Sequence, residues 1–144
     1  MTSPHRRSNY DVTDTVQVSS PESVRAAVLE LYATTWPGAG LEVLGRAVDD
    51  FARLFTGRMP GYVGVDTVYH DLQHSLDVVL ATARLLSGYE RGATDGDRLG
   101  AERALMGLVT ALFHDAGYIR EENEAEGPNG AVFTRSHVTR SAKF

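Results

Sequence analysis

A chain of 144 residues, 42% hydrophobic and 23% charged, is one globular domain's worth, long enough to bury a core without covalent staples. The absence of cysteine excludes disulfides, thiolate zinc sites and cysteine nucleophiles, and leaves histidine, carboxylate and water as metal ligands. With 14 basic against 19 acidic residues, the formal charge of -5 gives no broad basic surface for nucleic acid.

Residues 1–18 are polar and show no helical period, so they read as a loose tail or a short ordered arm. His5-Arg6-Arg7 are too few to make a nucleic-acid arm, and the segment lacks the apolar core of a signal peptide. No stretch approaches the ~18 apolar residues of a membrane span, so a cytoplasmic protein is expected. Residues 19–144 read as one helical domain. Its first helix is expected to begin near Ser19, which has capping-box spacing to Glu22, with Pro21 in the first turn. Val24, Val28, Leu31 and Tyr32 supply its apolar stripe, and Trp36-Pro37-Gly38 ends it. A second helix covers about 39–56, carried by Leu41, Leu44, Val48, Phe51, Leu54 and Phe55, with Gly57 as its C-cap.

The glycine-rich connector 57–69 then delivers Tyr69 and His70 to a third helix, Leu72 to Tyr89, whose apolar face is Leu76, Val79, Leu80, Ala83 and Leu86. Gly88, Gly92 and Gly96 read as a turn region, with Asp95 or Asp97 as the cap of a fourth helix over about 98–114. Ala101, Leu105, Leu108, Val109 and Leu112 give that helix the broad apolar face of a central core element. Residues 120–131 are an acidic loop, and Thr134 would cap a fifth helix that stops without an obvious terminator. No strand is clear, since Tyr62–Val68 is short and broken by Gly64. The expected fold is all-α: a compact helical bundle that is either short or completed by further chain.

Two histidine clusters hold the candidate chemistry. The first is YHDLQHSLDV, residues 69–78. If the helix includes His70, then His70 and His74 share one face, and Asp77 can orient His74 through its second ring nitrogen or bind an ion-bound water. A polar, solvated helix start would look the same. The second cluster is LFHDAGY, residues 112–118, where His114 and Asp115 close a very apolar helix. Polar groups buried there must be paired or bind metal, and imidazole with carboxylate is a reasonable ligand pair for a divalent ion. The alternative is a C-cap histidine favoured by the helix dipole, followed by a turn aspartate.

A histidine, a long apolar helix and then a His-Asp doublet resemble the HD superfamily of metal-dependent phosphohydrolases. The resemblance covers about residues 62–141. It implies an HD-domain-like bundle with His74 as the first ligand and His114 and Asp115 as the doublet. Tyr69-His70-Asp71-Leu72-Gln73-His74 is also similar to the YHNxxH segment of cyclic-nucleotide phosphodiesterases, with Asp71 in place of asparagine and Ser75 in place of alanine before Asp77-Val78. That likeness implies that His70 lies near the substrate and donates a proton to the leaving oxygen. The family's last ligand is an aspartate well after the doublet. Here no aspartate follows Asp115, and Glu121, Glu122, Glu124 and Glu126 do not match its position. His137 is then a substitute or a second-metal ligand. Otherwise the aspartate lies outside this sequence, or the chain is a degenerate member without turnover.

The resemblance therefore implies a divalent ion (Mn, Mg, Fe, Ni or Zn), a phosphorylated small molecule or nucleotide as substrate, Asp115 orienting the nucleophile, and Arg120 neutralising phosphate charge. Arg135 and Arg140 are weaker candidates for that last role. A homo-oligomer stays open. Two other classes remain. One is a zinc peptidase using His70 and His74, since HDLQH is one residue from H-E-x-x-H. The other is a module that binds a phosphorylated ligand or a protein partner without hydrolysing it.

Overall fold

Ser20, one residue later than the expected cap, opens the first helix. Its hydroxyl accepts the Ser23 N–H, and Pro21 takes the first helical position, where a missing N–H costs nothing. In this computed structural model, which describes residues 8–38, 40–124 and 127–144, helix α1 is Pro21–Thr35, with Val24, Val28 and Tyr32 buried at steps of four. Helix α2 is Leu41–Phe55 and helix α3 is Leu72–Gly92; helix α4 is Ala101–Phe113 and helix α5 is His137–Ser141. Ala39, the expected first residue of α2, lies outside the described residues, as do His5, Arg6, Arg7 and Glu126. The protein is all-α: among the described residues there is no strand, only two isolated bridges, Tyr10 with Gln17 and Tyr62 with Glu121. No helix there is long and apolar enough to cross a membrane.

The first four helices close a ring: α1 packs on α2 and α3, and α4 packs on the same two. Leu44, Phe51 and Leu54 of α2, Leu76 and Leu80 of α3, and Leu108 and Leu112 of α4 fill the interior. Each such fully buried side chain stabilises the fold by roughly 1.5–3 kcal/mol relative to exposure. The Tyr32 hydroxyl donates to the Ala101 carbonyl and ties α1 to the start of α4.

Two helix ends differ from expectation for tertiary reasons. The third helix continues through Gly88 to Gly92, because Glu90, only 5% exposed, is needed on its last turn. The Glu90 carboxylate accepts the N–H groups of Leu99 and Gly100 at 2.8 and 3.3 Å, and so caps α4 from a neighbouring helix. Burial pushes the Glu90 carboxyl upward, but these hydrogen bonds, with smaller help from Trp36 and the Arg98 charge, hold the group below its ordinary value. Neither Asp95 nor Asp97 is the cap: Asp95 pairs with Arg98, and Asp97 accepts the Thr94 hydroxyl.

Gly57, in the left-handed region past the end of α2, faces Gly64 so closely that a Cβ on Gly64 would lie 2.7 Å from the Gly57 nitrogen. This contact folds the connector back on α2 and aims it at the start of α3. Residues 8–18 form an ordered arm on α3. The Asp11 carboxylate collects the N–H groups of Thr13, Thr15 and Val16 and pairs with Arg84, and Val18 enters the core.

Candidate metal centre

Asp115 sits where α4 ends, and its side chain is 3% exposed. From Ala104 to Phe113 helix α4 carries a single polar side chain, Thr110, so hydrophobic burial drags the following His114-Asp115 pair inward. A 3-10 turn, Ala116–Tyr118, then carries the chain away from the carboxylate.

Four histidines from three separate segments surround this one group. His70 Nδ1 lies 2.7 Å from Asp115 Oδ2, His114 Nε2 3.0 Å and His74 Nε2 3.4 Å from the same oxygen. His137 Nε2 lies 3.9 Å from the other oxygen, Oδ1. Among the described residues, His70, His74 and Asp115 offer ligand atoms all within 4.8 Å of one another and could hold a metal ion. The sequence-predicted residues His70, His74, His114, Asp115 and His137 thus meet in one place.

They arrive by a different route from the one the spacing suggests. Helix α3 starts at Leu72, so His70 lies ahead of it and shares no helical face with His74. Asp71 is the N-cap: its carboxylate accepts the His74 N–H at 2.8 Å. Asparagine and aspartate cap equally well, which accounts for aspartate at a position where the resemblance has asparagine. The Thr67 hydroxyl donates to the His70 carbonyl and fixes the backbone before the cap. Asp77 lines the cleft between the N-terminal arm and α3, beside Gln73 and Arg84.

Ring protonation follows from the partners. A backbone carbonyl only accepts, so His114 Nδ1 donates to Ala111 O and His137 Nδ1 donates to Thr134 O, each at 2.8 Å. In both rings Nε2 is left facing the carboxylate. It carries either the second proton of an imidazolium or a lone pair for a cation. The hydrogen bond to Asp115 raises the His114 pKa against the opposing effect of burial, which favours a proton on that ring without a metal. Burial pushes the Asp115 carboxyl upward, yet the hydrogen bonds from His114, His74 and His70 hold it well below the usual carboxylate range. The site is therefore an anion ringed by imidazoles that demand positive charge between them, which fits a divalent cation.

Tyr118 has no role in the sequence reading, and the fold gives it one. Its buried ring stacks on both His70, at 4.5 Å, and His137, at 4.4 Å, and those two rings lie 6.4 Å from each other. Its spacing of three from Asp115 is a signal only once the turn after α4 is known. Helix α5 is held against this turn by Ser141, which donates to His114 O and accepts the Gly117 N–H. Thr134 does not cap it: the helix begins at His137 behind Ser136, and the Thr134 hydroxyl donates to Ala131 O.

The arginines are placed elsewhere. Arg120 pairs with Asp66 at 2.6 Å and reaches Gly127 O, and its side chain is 12% exposed. Arg140 donates to Gly117 O and Ile119 O, pairs with Glu124 and stacks over Phe133. Arg135 is exposed. No protein-family model matches the chain, and no curated protein or solved structure does. The likeness to HD phosphohydrolases rests on the residues of the two clusters alone.

Proposed function

We propose that this protein is a metal-dependent hydrolase of phosphate esters, with His74, His114 and Asp115 holding a divalent ion and His137 flanking it on the Oδ1 side. The observation that carries the reading is the convergence of four imidazoles on the single buried carboxylate of Asp115. A set rich in imidazole suits Zn, Fe, Ni or Mn better than Mg, which takes oxygen ligands. When bound, a divalent ion supplies Lewis acidity for a phosphoryl oxygen and for an attacking water.

The protein's own groups do the rest. Asp115 is ionised and accepts from the surrounding rings, which fixes their orientation. His70 gives its Nδ1 proton to Asp115, so Nε2 is the nitrogen left for proton transfer. In the imidazolium form that Nε2–H is backed by the carboxylate and hands a proton to the leaving oxygen. Tyr118 stacks against the rings of both His70 and His137 and so helps fix their orientation. Because Arg120 and Arg140 are committed to Asp66 and Glu124, the ion is the main countercharge for a phosphate.

Elemental analysis of the purified protein beside His114→Ala, paired with hydrolysis of 4-nitrophenyl phosphate, tests the reading. A near-stoichiometric ion lost in the variant, with hydrolysis tracking occupancy, is the expected result. A parent that takes up none of these ions rejects it. A second reading, a phosphate-binding module without turnover, draws on there being one carboxylate among the clustered residues; stoichiometric metal without hydrolysis would select it. The Asp71 carboxylate, the base that the peptidase alternative would need, accepts the His74 N–H as the cap of α3, which counts against that reading.

A further inference from the structure

Beside the histidines, the end of α4 and helix α5 leave a cavity of about 470 Å³. Val109, Phe113, Val138 and Phe144 line it, and His114 and His137 form the wall it shares with the metal centre. The volume suits a small organic group. Val138 and Phe144, 69% and 46% exposed, stand at it without belonging to the core.

What the cavity lacks is a reader of polar groups. Among the described residues, no charged or amide side chain lines it apart from the two histidines. Its two hydroxyls have already given their protons to backbone carbonyls, Thr110 to Met106 O and Ser141 to His114 O. A nucleobase placed here would bury several donors and acceptors against carbon and leave them unpaired, whereas hydrocarbon loses nothing.

We infer that this cavity receives the apolar organic group of a phosphate monoester, an alkyl or aryl chain, while the phosphate lies at the histidines. The inference rests on the metal-centre reading above and narrows its substrate class away from nucleotides.

Calorimetric binding of n-alkylphosphonates, whose carbon–phosphorus bond is not hydrolysed, tests it on Mn-loaded protein of measured metal content. Each methylene that enters the cavity is expected to tighten binding about two- to fourfold, so hexylphosphonate should bind about thirtyfold or more tighter than methylphosphonate. Val138→Asp should collapse that ratio, and the isosteric Val138→Thr should reduce it. Equal affinity at every chain length overturns the inference and leaves the metal centre standing. No binding at any length overturns both. A chain-length gain that neither variant changes, or adenosine monophosphate binding more tightly than hexylphosphonate, also overturns it. So does a dimer in solution that Val138→Asp splits, which would assign the cavity to a second copy of the chain.

Discussion

Gly117→Ala is a one-methyl perturbation with a calculable reach. A Cβ at Gly117 would lie 2.0 Å from His137 O and 2.7 Å from its carbonyl carbon. Cβ contacts essentially never fall below 3.0 Å, so α5 must retreat by at least the difference, 1.0 Å. That motion strains the four hydrogen bonds that dock it: Gly117 N–H to Ser141, Ser141 to His114 O, Arg140 to Gly117 O and Arg140 to Ile119 O. At about 1 kcal/mol each, and discounting those that re-form, the docking of α5 weakens by about 2–4 kcal/mol. Helix α5 contains no buried residue, so this loss should stay local and leave the four-helix core folded. Hydrogen exchange read by NMR would show α5 amides losing protection while those of α3 and α4 keep theirs. Unchanged α5 protection would refute the reasoning, as would global unfolding.

Single histidine variants separate ligands from the proton donor. His74→Ala and His114→Ala should lose metal, while His70→Ala should keep it and lose about a hundredfold or more in kcat; metal loss in His70→Ala would make His70 a ligand instead. The pH dependence of the metal-free protein follows from two shifts of opposite sign. His114 has a raised pKa, so its contribution is full below its ordinary value of 6.5 and is lost as pH rises through the raised one. Asp115 has a lowered pKa, so its contribution is full above its ordinary value of 3.8 and is lost on acidification below it. The pair stabilises most between 3.8 and 6.5, and thermal melts should show the metal-free protein weakening toward alkaline pH, a trend that His114→Ala flattens. Metal loading should run the other way, rising with pH as protons leave the ligands. Glu90→Gln keeps an acceptor for Leu99 and Gly100, whereas Glu90→Leu removes it, so the melting midpoint should fall further in the second; equal midpoints would dismiss the cross-helix cap.

The apolar period of 3.6 residues is a local property, and it placed the four long helices, the all-α fold and the core of Leu44, Phe51, Leu76, Leu80, Leu108 and Leu112 before any coordinates. Composition did similar work for the site: with no cysteine, metal chemistry had to fall on histidine and carboxylate, and the clusters at 69–78 and 112–118 are where those residues gather. Helix boundaries were less legible wherever a distant side chain set them. Glu90 extends α3 and caps α4 across nine and ten residues, a partnership with no sequence signal, while Asp95 and Asp97 offered a nearer cap that goes unused.

Tertiary structure alone decided how the chemistry is assembled. It put His70 outside α3 yet on Asp115, brought His137 to the opposite carboxylate oxygen, and stacked Tyr118 against both rings. It also drew Arg120 to Asp66, 54 positions away, and Arg140 to Glu124. The reason is physical. Periodicity reports which face a residue takes on its own helix, whereas the direction of a carboxylate oxygen or a ring nitrogen depends on what the rest of the chain packs against it.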